Sequence, residues 1–101
     1  MPIAWHAPYD QLKPETQDMA RAIQSLMEEL EAIDWYGQRV DVTHDDQLKR
    51  ILAHNRDEEK EHASMLLEWI RRHDPKFDKT LKTYLFTSGD ITKIEEESEG
   101  S

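Results

Sequence analysis

At 101 residues the chain has room for one small domain. It has no Cys, which excludes disulfides and zinc–thiolate sites. Its 22 Asp and Glu outnumber 13 Lys and Arg, and the formal net charge of −9 argues against a nucleic-acid partner and suits a protein that attracts cations.

Residues 1–13 read as an irregular lead-in, because Pro2 and Pro8 break any helix there. Pro14 fits the first turn of a helix, with Glu15 and Asp18 near the positive end of its dipole. That helix is predicted to run to about Val40, and Asp41 to Asp45 form a polar break. Thr43 with Asp46 three residues on resembles a capping box for a second helix, which runs to about His73. Asp74-Pro75 ends it and supplies a cap and first-turn proline for a third, shorter helix through about Phe86. Thr87, Ser88 and Gly89 break the chain again, and Ile91 and Ile94 permit one or two more turns. Residues 95–101 are acidic and polar and are expected to be frayed or disordered. The organisation is thus a lead-in over 1–13, a helical domain over 14–94 and an acidic tail over 95–101. No apolar run approaches roughly 18 residues, so no membrane span is expected. The N-terminus lacks the layout of a secretory signal, and the cytoplasm is the expected compartment.

The first long helix carries an apolar stripe at Met19, Ile23, Leu26, Leu30, Ile33, Gly37 and Val40, with alternating steps of 4 and 3 typical of a bundle seam. The second carries Leu48, Leu52, Asn55, Glu59, His62, Leu66 and Trp69 at the same steps. Its middle is wrong for a core, since a carboxylate in a seam must be neutralised, paired or bound to a metal. A neighbouring stripe on the first helix, Leu26, Glu29, Ile33, Tyr36 and Val40, is interrupted by Glu29. The short break makes the two helices fold back antiparallel, with residues whose numbers sum to about 88 lying level. Glu29 and Glu59 then sit at similar depth, with His62 about one turn away.

Glu59-x-x-His62 puts a carboxylate and an imidazole on one helix face, close enough to share one ion. One Glu plus one Glu-x-x-His is half of the di-iron carboxylate site of ferritin-like bundles, and no second Glu-x-x-His is present. A dinuclear site therefore requires two chains about a two-fold axis, each giving Glu29, Glu59 and His62. Carboxylates with one imidazole and no thiolate suit iron or manganese better than structural zinc. The reaction class is oxidation of Fe(II) by dioxygen. A hydrolytic metal pair fits less well, because no general base or substrate-pocket residue can be named.

The stretch from Met27 to Tyr36, Met-Glu-Glu-Leu-Glu-Ala-Ile-Asp-Trp-Tyr, resembles the encapsulated ferritins, as does Ile51-Leu-Ala-His-Asn-Arg-Asp-Glu-Glu-Lys-Glu-His62. Trp69-Ile-Arg-Arg-His and Thr83-Tyr-Leu-Phe-Thr fit the same family, and the likeness covers roughly Leu26 to Ile94. The resemblance implies an all-α fold: an antiparallel two-helix hairpin, or half-ferritin, plus a short C-terminal helix, dimerising into a four-helix bundle. It further implies a homo-oligomer, an annular decamer built from dimers, that oxidises Fe(II) with dioxygen inside an encapsulin shell where the mineral is stored.

Carried over by position, the ferroxidase ligands would be Glu29, Glu59 and His62. Glu28 and Glu31 match acidic residues that hold a second, peripheral metal, for which Ca(II) is a candidate, and that guide ions inward. Trp35 and Tyr36 match aromatic residues beside the iron centre, and Tyr36 is placed to hydrogen-bond a ligand carboxylate. His6, His44, His54 and His73 are not expected to be ligands. Family members carry a Gly- and Leu/Ile-containing docking peptide after a flexible linker, where this chain reads Glu-Ser-Glu-Gly-Ser. The shell expectation therefore rests on the resemblance alone. Two other readings use the same residues: a dimeric helical module that holds divalent cations without redox chemistry, and a di-iron activity such as peroxide removal.

Overall fold

The computed structural model describes residues 4–99, at Glu99 the backbone alone. It is all-helical, with no strand among the described residues. The helices are α1 (Pro14–Val42), α2 (Asp46–His73), α3 (Pro75–Tyr84) and α4 (Ile91–Glu99), preceded by a 3-10 turn at Tyr9–Gln11. The chain falls into two compact units, divided within α2 between Ile70 and Arg71.

In the first unit the lead-in is pinned to α1. Gln17 donates its Nε2 to the Tyr9 carbonyl at 3.0 Å. Arg21 donates to the Tyr9 hydroxyl at 2.6 Å and to Asp18 at 2.9 Å. Those two partners hold the guanidinium above its ordinary pKa, Asp18 first. The Trp5 ring meets Tyr9 edge-on at 4.9 Å. Met1 to Ile3, also part of the expected lead-in, lie outside the described residues.

The α1–α2 break is built differently from the expected capping box. The Thr43 hydroxyl donates back to the Arg39 carbonyl at 2.6 Å, closing α1. Asp45 caps α2 instead, accepting from the Leu48 amide at 2.8 Å. The Arg39 carbonyl, which also accepts the Thr43 amide at 3.1 Å, lies within reach of a hydroxyl four residues on, and that bond takes Thr43 away from the next helix. Asp45→Ala should therefore cost about 1 kcal/mol. That lowers the melting temperature by about 4–8 °C for a unit of this size, whereas Asp46→Ala should change it little; thermal unfolding followed by circular dichroism compares the two.

The two long helices pack by the stripe that Glu29 interrupts. Leu26, Glu29, Ile33, Tyr36 and Val40 are half-buried, whereas Ile23 and Leu30 of the stripe with 4 and 3 steps turn outward and are exposed. Gly37 faces the stem of Arg56, where a Cβ would lie 3.9 Å from Cδ. Leu26, Leu30 and Ile33 line a groove with Lys60, Ala63, Ser64 and Leu67. Side chains on each helix lean toward their own N-terminus. In an antiparallel pair the leans are opposed, so tips meet about a turn later along α2 than a level Cα register indicates. Hence Leu26 shares its groove with Leu67 and not with His62.

Little is enclosed. Ala22, Ala63 and Ile70 form the buried core among the described residues. Ile23, Met27 and Leu30 on α1 and Leu48, Ile51 and Met65 on α2 are 44–60% exposed. Two helices cannot cover each other's apolar surface, and a chain this small has no third layer to do so.

In the second unit, Asp74 caps α3 by accepting from the Phe77 amide at 2.9 Å, with Pro75 in the first turn, as the sequence indicated. Asp78 pairs with Arg71 and, at 3.0 Å, with Lys82. Hydrogen bonds from Lys82 and Arg71 hold its carboxyl below the ordinary range. α3 stops at Tyr84, two residues before the expected end, and Phe86 takes a left-handed φ of 61°. α4 continues through the first part of the acidic tail, as far as Glu99. Asp90 supplies the cap, accepting from the Thr92 amide at 2.9 Å and its hydroxyl at 2.6 Å. Residues 100–101 lie outside the described part.

Candidate metal centre

Glu29 comes from α1, and Glu59 and His62 come from one face of α2. Helix spacing brings Glu59 and His62 together locally, and hairpin packing brings Glu29 to them. His62 Nδ1 lies 3.7 Å from Glu29 Oε2 and 3.6 Å from Glu59 Oε2. One ligand atom from each of the three falls within 4.8 Å of the others. Both carboxylate side chains are 24% exposed and the imidazole is 45% exposed. These distances are too long for hydrogen bonds and right for groups that converge on a common point.

Glu29 Oε2 is buried at the atomic level and has no hydrogen-bond partner. A desolvated carboxylate oxygen without a donor is costly, and a second carboxylate beside it adds repulsion. A cation answers both. The donor set of two carboxylates and one imidazole per chain fits a hard or borderline divalent ion such as iron or manganese.

None of the other candidate residues is part of this group. Glu28 and Glu31 are exposed on α1, and neither joins Glu29, Glu59 and His62. Trp35 is 49% exposed. Tyr36 is half-buried, with the Arg39 guanidinium 5.4 Å from its ring centroid. No hydrogen bond joins its hydroxyl to Glu29 among the described residues. His54, set aside by the sequence argument, lies away from the cluster and pairs with Glu58 at 3.5 Å on the exposed face of α2. Arg39 and Arg56 were not singled out by sequence reasoning. The i, i+3 spacing of Tyr36 and Arg39 could have shown the first contact, whereas the approach of the Arg56 stem to Gly37 crosses between helices and leaves no spacing signature.

A helical hairpin carrying a carboxylate–imidazole cluster that could hold a metal ion, with uncovered apolar residues on both helices, defines the class. The family is more specific. The sequence model of the EncFtn-like family matches residues 4–88, and the chain belongs to that family. It is similar to an encapsulated ferritin-like protein of Rhodospirillum rubrum, 63% identical over 90 residues, covering 89% of this chain and 64% of the relative. It is also similar to an encapsulin nanocompartment cargo protein of Myxococcus xanthus, 40% identical over 72 residues, covering 67% of this chain and 55% of the relative. The chain thus spans less than two thirds of the length of either of these relatives. A crystal structure of a Nitrosomonas europaea protein superimposes with a TM-score of 0.84 at 66% identity, covering 86% of this chain and 96% of that one.

Proposed function

We propose that the protein is a ferroxidase whose dinuclear iron site forms between two copies of the chain, with Glu29, Glu59 and His62 of each as ligands. The observation that carries this reading is the buried, partnerless Glu29 Oε2 beside Glu59 and His62. Fe(II) is the substrate. Two Fe(II) ions give up one electron each, and one dioxygen takes both with two protons to leave hydrogen peroxide. The residues' part is to hold two cations close together, to offset their charge with four carboxylates from two chains, and to favour Fe(III), the harder ion, as product.

The exposed apolar residues on both long helices support self-association, since a second hairpin supplies the missing half of a four-helix bundle. Dimers then close into an annular decamer. The names of the Rhodospirillum and Myxococcus relatives support placing the reaction within an encapsulin shell; the same proposal puts that shell in the cytoplasm, with Fe(III) stored there as mineral. Among the described residues no helix is long and apolar enough to cross a membrane.

Anaerobic protein mixed with Fe(II) and then with air tests the reading. The expected result is dioxygen uptake and Fe(III) absorbance well above the protein-free rate. Tight Fe(II) binding with no faster oxygen uptake would instead support the cation-holding module.

Glu28 and Glu31 are assigned to a peripheral site for hydrated Fe(II) or Ca(II) on its way inward, with Trp35 and Tyr36 packed beside the centre. Successive helix residues turn by about 100°, so neither acid can share the face of Glu29. Alanine at both positions should leave iron occupancy of the inner site at saturation intact while changing the initial oxidation rate. Iron per chain after desalting, read beside stopped-flow rates, separates approach from assembly of the centre. Unchanged values in both would return the pair to an ordinary solvated face.

A further inference from the structure

Methionines in the hairpin differ in how far the chain covers them. Met19 is half-buried, whereas Met27 on α1 and Met65 on α2 are 56% and 60% exposed. Both exposed thioethers sit on apolar surface. Met27 follows Ile23 by four residues and precedes Leu30 by three, so the three form one uncovered row on α1. Met65 follows His62 by three residues, one turn further along the same face of α2. The His62 imidazole is itself 45% exposed, so the open side of the ligand cluster and Met65 share a face. A second copy that completes a metal site over His62 covers Met65 as well.

The oxidation of Fe(II) proposed above leaves hydrogen peroxide, and peroxide carries an oxygen atom to a thioether. The sulfur lone pair attacks one peroxide oxygen, the O–O bond breaks and an S–O bond forms. The departing hydroxide takes the proton of the transferred oxygen and leaves as water. Sulfur loses two electrons and peroxide gains them. The product is a polar, chiral sulfoxide where the surface was apolar, with an acceptor oxygen that loses its water when that surface is buried.

We propose that Met27 and Met65 are sites of sulfoxidation by hydrogen peroxide in the unpaired hairpin, and that their oxidation blocks pairing. The proposal rests on the reading that two hairpins share one iron site. Oxidation and pairing then exclude each other. A paired chain shields its thioethers, and an oxidised chain cannot bury its sulfoxides. The reaction's own product thus limits how many new iron-oxidising sites assemble, until a methionine sulfoxide reductase restores the thioethers.

The metal-free full chain treated with hydrogen peroxide tests this. Iron is omitted because iron and peroxide together yield radicals that oxidise side chains indiscriminately. Peptide mass spectrometry should show Met27 and Met65 each gaining one oxygen before Met19 at low protein concentration, and more slowly at high concentration. Sedimentation of the oxidised chain should show association only at about tenfold higher protein concentration or more. Methionine sulfoxide reductase with a thiol should reverse that shift. Met27→Leu with Met65→Leu removes both sulfurs and keeps the surface apolar, so peroxide should leave that variant's association where it stood before treatment. Unshifted association of the doubly oxidised parent, or an equal shift in the leucine variant, would overturn the proposal and leave the pairing reading standing. An untreated chain that stays monomeric at every concentration would overturn the pairing reading, and the proposal with it.

Discussion

Glu29→Ala, Glu59→Ala and His62→Ala should each lower the initial rate of Fe(II) oxidation by about a hundredfold or more, since even groups one contact further from a metal cost 10–100-fold. In a two-fold site each substitution removes two ligands. The effects should be far from additive, because a site missing one ligand pair has little left to lose. Stability without metal should move the opposite way for Glu29. Its Oε2 is buried without a donor beside a second carboxylate, so Glu29→Gln relieves repulsion and desolvation and should raise the melting temperature of the metal-free protein. A ligand whose removal stabilises the empty protein while abolishing turnover is serving function at the expense of fold. Wild-type oxidation rates in all three alanine variants would remove the proposed centre.

Activity per chain should rise with protein concentration and then level off, because a single hairpin holds half a site. Metal should pull the same equilibrium. Binding to the assembled state alone stabilises it by about 2.7 kcal/mol at a ligand concentration a hundredfold above Kd. Sedimentation at micromolar protein, with and without Mn(II) as a stand-in that air does not oxidise at neutral pH, should show association promoted by the ion in the parent and not in Glu29→Ala. The exposed apolar residues predict a second signature. Met27→Glu or Met65→Glu should weaken association without touching a ligand, and high protein concentration should restore part of the lost activity. A fully active monomer would contradict the model.

The helix limits were legible where the chain contains residues that cannot continue a helix. Pro14 and the Asp74-Pro75 pair mark their helices to the residue. The second helix was bounded correctly but with the wrong cap, since Thr43 and Asp45 both suit that role and only the reach of the Thr43 hydroxyl to Arg39 decides between them. α4 was cut short because its acidic composition reads as solvated chain. Composition does not register the Asp90 cap or Tyr84 of α3, which lines one cavity with Ile91 and Thr92. The Glu29, Glu59 and His62 group was legible because polar residues in an apolar seam are conspicuous. Which stripe of α1 faces α2 was not, because the two stripes share Leu26, Ile33 and Val40 and differ only in whether Glu29 and Tyr36 or Leu30 and Gly37 complete them, a choice that packing makes.

The link between the long helices has a consequence for how the chain can change over evolutionary time. Thr43 seals one helix and Asp45 opens the next, leaving His44 alone between two side-chain locks. Surface connections normally tolerate insertion, since lengthening a loop costs little entropy. This one is a spacer. An added residue would leave both locks closed yet let α2 slide or rotate against α1, and atoms gathered within 4.8 Å would lose their common point. Sequence drift at His44 is therefore cheap while a change in length is not. The meeting of Glu29 with Glu59 and His62 is written as much in the number of residues between the helices as in the identity of the three.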